Sequence, residues 1–209
     1  MDKLDLRKQY KHLYLPSSKQ VTVVEVPAFQ FAMIDGAIEP GHEPGNSPSF
    51  QQALEALYGI AYTLKFMSKL REENSVDYTV MALEGLWWVE DGEFDITNPG
   101  NWYWTAMILQ PEHITQEMCA QGLEQLRIKK PNPALDKMRL ERFDEGLCMQ
   151  IMHIGPFSEE GPTIERMHQY AFDQGYELRG KHHEIYLSDP RRTAQEKLRT
   201  VIRQPIKKV

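Results

Sequence analysis

The chain has 209 residues, 41% apolar and 26% charged, with 24 basic against 30 acidic side chains and a net charge of −6. That is enough apolar sequence for one large domain or two small ones around a buried core, and 21 aromatic residues are too many for a disordered chain. Apolar runs of about five residues exclude a membrane-spanning helix, and the acidic balance disfavours direct nucleic-acid binding. No apolar leader follows Met1, so a cytoplasmic location is expected.

Residues 1–20 are polar, with a short helical pattern over Leu6–Leu15 that Pro16-Ser17-Ser18 breaks, and they read as an N-terminal extension. Val21–Val26 is a β-branched strand ended by Pro27, and Phe29–Ile38 is a second strand. Three prolines and two glycines make Glu39–Pro48 a loop, with Ser47 able to cap the following helix and Pro48 suited to its first turn. Phe50, Leu54, Leu57, Ala61 and Leu64 recur at steps of four and three, which predicts an amphipathic helix to about Leu70. Val76–Val89 reads as a strand, with Gly85 a bulge or a point of close approach. Turn signals at Asp91-Gly92 and Asn98-Pro99-Gly100 fold the chain back into Trp102–Leu109. A helix over Thr115–Ile128 precedes a linker at Lys129–Pro133, where two prolines exclude helix.

The second half repeats this order. Asp136–Phe143 and Leu147–Ile154 are strands around the turn Asp144-Glu145-Gly146. Ile164, Met167, His168 and Ala171 mark a helix closed by Gly175, and His182–Leu187 and Arg199–Ile206 are strands. Each half places a glutamate centrally in the strand after its helix, Glu84 in the first and Glu184 in the second. The expected fold is α+β: two pseudo-dyad-related β-α-β-β units (21–128, with a connecting helix, and 135–209). They form an antiparallel sheet with helices on one face and a ligand groove on the other.

Alternation in Lys181–Ser188 sets Ile185 and Leu187 on one face and His182, Glu184 and Tyr186 on the other. Assigning the apolar pair to the helices sends the polar triplet into the groove. Glu184 is then either a satisfied structural carboxylate or a ligand-contacting acid, since a carboxylate in a sheet centre needs a partner. All four tryptophans, Trp87, Trp88, Trp102 and Trp104, fall with Tyr103 on two strands expected to pair. Simple alternation puts Trp88 on Glu84's face, and a bulge at Gly85 would put Trp87 there instead. These rings are core or, where helices leave a face open, a wall for a planar or cationic molecule. Cys119 and Cys148 match no metal or redox spacing, and His153, His168, His182 and His183 match no zinc pattern, so no metal or cofactor is expected.

With His153-Ile154-Gly155-Pro156-Phe157, Gly175-Tyr176 and Glu184–Pro190, the chain resembles the GyrI-like small-molecule-binding domain. The family includes gyrase-inhibitory proteins and the effector domains of BmrR-type multidrug regulators. The likeness is specific over Leu135–Pro205 and looser over 20–127, where Leu83–Trp88 and Trp102–Met107 look like a stand-alone, enlarged branch. It implies a groove between two units that takes flat, often cationic molecules, with Glu184 as the central acid and His153 and Phe157 among its lining residues. Stand-alone members are associated with hydrolysis of cyclopropanoid DNA-alkylating compounds. No helix-turn-helix segment is present, which argues against a transcriptional role.

The expected partners are therefore planar or cationic aromatic small molecules. As a hydrolase, the protein would use Glu184 as base, Glu84 to orient water and Tyr186, Tyr78 or His182 as hydrogen-bond donor, between tryptophan walls. As a sequestering module it would use the same residues to cradle a cation, and a topoisomerase-modulating interaction is a third reading. All place Glu84 and Glu184 on paired central strands opening into one cleft opposite the helices.

Overall fold

The computed structural model describes residues 3–90 and 101–209. The turn signals at Asp91-Gly92 and Asn98-Pro99-Gly100 lie outside the described residues. Helices α1 (Leu6–Gln9) and α2 (Lys11–Tyr14) precede strands β1 (Thr22–Val26) and β2 (Phe29–Ala37). Helix α3 (Pro48–Lys69) begins as its sequence dictates: the Ser47 hydroxyl accepts from the Phe50 amide, and Pro48 occupies the first turn. Strands β3 (Leu83–Trp88) and β4 (Tyr103–Gln110) lead to α4 (Gln116–Lys129), capped by Thr115. Strands β5 (Arg139–Phe143) and β6 (Gly146–Ile154), helix α5 (Gly161–Asp173), and strands β7 (Tyr176–Leu178), β8 (His182–Tyr186) and β9 (Arg199–Lys208) complete the chain.

The strands form one antiparallel sheet in the order β1-β6-β9-β8-β3-β4-β2-β5, with β7 on β9. The two repeats meet at its centre, where β3 pairs with β8. Its ends are not independent. β1 runs into β2 and β5 into β6, and one register governs both ladders: Val26 opposes Gly146, and Phe29 opposes Phe143. Pro27-Ala28 and Asp144-Glu145 form a short break between them. The sheet therefore curls until its two edges become two halves of one ladder, giving it an inner and an outer face. Gly146, just past the break, has φ of 66°, a conformation glycine adopts without steric cost.

Helices α3 and α5 pack on the outer face. Phe50 of α3 meets Trp87 and Trp104 at ring-centroid distances of 5.2 and 5.1 Å. Ile164, Met167 and Ala171 of α5 pack on Met149, Ile151 and Ile202. The inner face is covered in part by the N-terminal segment, whose Leu13 and Tyr14 are buried in the main core.

Charges are sequestered at the centre of the inner face. His183 Nδ1 lies 2.8 Å from Glu145 Oε1, and its Nε2 lies 3.0 Å from Glu84 Oε2. Arg203 Nη1 donates to Glu145 Oε2 at 3.1 Å, its Nε donates to Gln150 Oε1, and its Nη2 donates to the Leu13 carbonyl. The Tyr14 hydroxyl donates to Glu84 Oε1 at 2.9 Å. Glu145 continues the inward alternation of Arg139, Glu141 and Phe143 into the break between the two ladders. Burial alone would raise its pKa, but His183 and Arg203 more than offset that and hold it at about 2. Burial would lower His183, and Glu145 and Glu84 instead lift it to about 9.

Two stability predictions result. The His183 contribution is complete below its ordinary pKa of 6.5 and is lost as pH rises through about 9, while that of Glu145 is complete above 4.5 and lost as pH falls through about 2. The urea midpoint of the wild type should thus decline between pH 7 and 9.5, and a His183→Gln variant should lack that decline. Arg203→Met leaves Glu145 buried without its guanidinium and should cost about 3–5 kcal/mol in urea unfolding near neutral pH.

Candidate functional site

Register decides which side chains share the site. Glu184 opposes Gly85, and Ile185 opposes Glu84. Directly opposed residues point to the same face, so Glu84 and Glu184 point to opposite faces. The expectation that they share a cleft is corrected: Glu84 belongs to the inner network, and Glu184 lies outside with Trp87. His182, Glu184 and Tyr186 do share a face as alternation requires, but it is the helix-bearing one. Ile185 packs inward, because the curled sheet has an apolar interior as well. No bulge interrupts β3, whose pairing runs unbroken from Leu83 to Trp88. Gly85 is instead a point of close approach: a Cβ there would fall 2.9 Å from Trp87 Nε1 and 3.1 Å from the Tyr186 hydroxyl.

Helix α3 lies over β2 and β4 and helix α5 over β6 and β7, so β3 and β8 form the floor between them. On that floor His182 Nε2 sits 3.1 Å from Glu184 Oε1. Trp87 Nε1 donates to the Tyr186 hydroxyl at 3.0 Å, and burial together with the adjacent Glu184 carboxylate keeps that hydroxyl protonated. Trp102 packs on Trp87 at 5.6 Å, and Phe157, 39% exposed, meets Tyr186 edge-on at the rim. The Glu184 carboxylate has a second acid beside it. Glu160 caps α5 in position, and its carboxyl is turned to Glu184 rather than to the helix amides. Burial, and then the Glu184 charge, raise Glu160 to about 10, so at neutral pH this carboxyl keeps its proton. The Glu160 carboxyl is hydrogen-bonded to Thr200 and Glu184, and His168 Nε2 on α5 is buried without a hydrogen-bond partner among the described residues.

Several other expected residues lie elsewhere. Trp104 is core beneath Phe50. Trp88 faces inward, stacked on Tyr103 and covered by the Lys181 ammonium 3.2 Å from its ring centroid. Tyr78 donates to Gln110 and packs on His113, so it is corrected from a site donor to a structural residue. His153 is held by Thr163 and the Pro156 carbonyl, which fixes the start of the α5 segment. Glu160 and Thr200 were not readable as site residues. An acid just before Gly161-Pro162 is an ordinary helix-start residue, and only the packing of α5 over β8 brings it to Glu184. Among the described residues, no group of three His, Cys, Asp or Glu side chains is arranged to hold a metal ion, and no helix is long and apolar enough to cross a membrane.

A raised carboxyl pKa carries a sign that can be tested. Between about pH 4.5 and 10 the unfolded chain releases a proton that folded Glu160 keeps, so this group destabilises the fold increasingly as pH rises. Glu160→Gln, which copies the protonated acid, should raise the melting temperature near pH 8, and the gain should vanish below pH 4.5.

Residues 19–207 match the family model of the GyrI-like small molecule binding domain. An uncharacterized conserved protein from Listeria innocua is 40% identical over 98% of this chain and 100% of its own, with a TM-score of 0.88. A second Listeria innocua protein, described as a hydrolase, is 38% identical over 99% of this chain and 100% of its own, with a TM-score of 0.85. The EcmrR C-terminal domain shares the fold at 12% identity and a TM-score of 0.55, covering 91% of this chain and 98% of that domain. Comparison with curated proteins gives no match.

Proposed function

The chain belongs to the GyrI-like small-molecule-binding family, and we propose that it is a hydrolase that opens planar cyclopropanoid compounds at the Glu184 floor. The observation that carries this reading is the carboxyl pair. Glu184 and Glu160 are buried together with one proton held on Glu160, and two acids whose environments differ in this way suit an acid–base division of labour. A protein that only cradled cations would gain nothing from a second carboxyl that stays neutral.

In the reaction, Glu184 takes a proton from water as the water oxygen bonds to the strained cyclopropane carbon. The ring C–C bond breaks, and its electron pair passes through the conjugated dienone to the oxygen, which becomes a phenolate. The proton collected by Glu184 returns to that oxygen, with Glu160 able to relay it, so the net change is addition of one water. Tyr186, fixed by the Trp87 indole, donates to Glu184 in the resting protein and turns its hydroxyl to the developing negative charge once Glu184 has taken the proton from water, and His182 orients Glu184. Phe157 at the rim offers a flat apolar surface to the ring system, with the buried Trp87 and Trp102 backing the Tyr186 side. The hydrolase description of a relative 38% identical supports the reaction class.

The second reading is a sequestering module for aromatic cations, favoured by the same aromatic and acidic lining. Product formed per protein separates the two. The hydrolase reading expects multiple turnover by the wild type and a loss of about two to four powers of ten in Glu184→Gln with binding of neutral substrate retained. Absence of multiple turnover, with the same substitution weakening cations alone, is the outcome the sequestering reading requires.

A further inference from the structure

The inner face of the curled sheet is not filled along its whole length. Leu13 and Tyr14 occupy one part, and beyond the central network a cavity of about 680 Å³ opens on the helix-free side. That volume falls within the ordinary range for a small-molecule site. Its walls are mostly apolar, with Met33, Leu86, Phe143 and Pro205 around the stacked Trp88–Tyr103 pair. It is separate from the Glu184 floor, since Leu86 and Trp88 alternate with Gly85 and Trp87 along β3.

The charges around this cavity are unevenly matched. Both oxygens of Asp35 are engaged by Arg139, and Oδ1 also accepts from Thr105 at 2.7 Å. Glu141 is likewise bound by Arg139 at 2.6 Å. Glu145 is committed to His183 and Arg203. Arg179 is held rigidly by the carbonyls of Glu145, Leu147 and Ile206, which orient its guanidinium without neutralising it. Among the described residues no carboxylate lies within ion-pair distance of Lys181, whose ammonium rests on the Trp88 ring. Two cations two residues apart thus reach one aromatic-walled cavity whose acids Asp35, Glu141 and Glu145 are engaged by other cations, while Glu25 lies beyond the walls beside Gly146 and Arg179. The remaining carboxylate, Asp144, is exposed at the rim.

We propose that this cavity is a second ligand site, taking a planar aromatic carboxylate whose ring packs against Met33, Phe143 and the edge of the Trp88–Tyr103 stack and whose anionic group meets Lys181 and Arg179. Burial lowers the Lys181 pKa even against the attraction of Asp35, with Arg139 adding to the loss, and an anion in the cavity would offset it. The site asks for a charge opposite to that expected at the Glu184 floor, and it does not depend on the hydrolase reading.

Calorimetric titration and tryptophan fluorescence with 2-naphthoate, its neutral amide and a naphthylmethylammonium ion test the assignment. Naphthoate should bind and quench, the amide should bind at least about tenfold more weakly, and the cation should not compete. Lys181→Met, which keeps the stem over Trp88, should weaken naphthoate at least about tenfold, and Asp144→Asn should tighten it. Trp88→Phe should remove most of the quench, and Glu184→Gln should leave naphthoate affinity unaltered. Equal binding of acid and amide, indifference to Lys181→Met, or loss of binding in Glu184→Gln would overturn the site, as would no binding at all.

Discussion

One register joins Thr22–Val26 with Gly146–Gln150 and Phe29–Met33 with Arg139–Phe143, and most of the architecture depends on it. It converts a sheet with two free edges into one whose edges are paired with each other. Free edges invite intermolecular pairing, and here the most central strands are also those farthest from any opening. The cost is a curled sheet whose inner face must be filled. The filling comes from the N-terminal segment and from a set of charges that neutralise one another. Glu84, Glu145, Arg203 and His183 carry no net charge together when the histidine is protonated, which its raised pKa ensures across the neutral range. Such clusters are weak contributors to stability in total, but removing one member is expensive. Here the bonds of Glu145 to His183 and Arg203 tie the break at Asp144-Glu145 to the central strands β8 and β9.

The outer face follows from the same closure. With helices α3 and α5 each seated over its own repeat, the central pair β3 and β8 is left between them as a floor. The floor carries carboxyl, imidazole, phenol and indole groups within hydrogen-bonding reach, where the corresponding inner positions carry the charge network. Gly85 is the point at which the two requirements meet. Its missing side chain gives room to the Trp87–Tyr186 hydrogen bond outside while the neighbouring Glu84 serves the inside.

Much of this was legible in the sequence. The stripe from Phe50 to Leu64, the Ser47 cap and the matching order of the halves located α3, the central strands and the repeat. The grouping of His182, Glu184 and Tyr186 was also correct. What alternation could not supply was the direction of each face. A half-buried strand betrays its orientation by polar residues on the wet side, but residues 83–87 and 182–185 are buried throughout, so period two divides them without naming the sides. Pairing the apolar Ile185 with the helices follows only for a sheet with one apolar interior, and this sheet has two. The inner one depends on a long-range register and on Leu13 and Tyr14, which sit in the four-residue helix α2, whose sequence gives no sign of burial. Glu160 was hidden for a similar reason, since its partner is separated from it by a helix and a strand.

The alternation of β8 has a consequence for how this protein can change. His182, His183 and Glu184 are consecutive, yet the middle residue is wired to the folding core and the outer two to the candidate reaction floor. A strand that serves as a partition lets the two sides be edited separately. Substitutions at positions 182, 184 and 186 alter the chemistry of the outer floor without disturbing the charges that hold the sheet closed. An insertion or deletion of one residue would do the reverse, exchanging the two sets at once. The outer face is therefore open to variation by point substitution, whereas strand length is not.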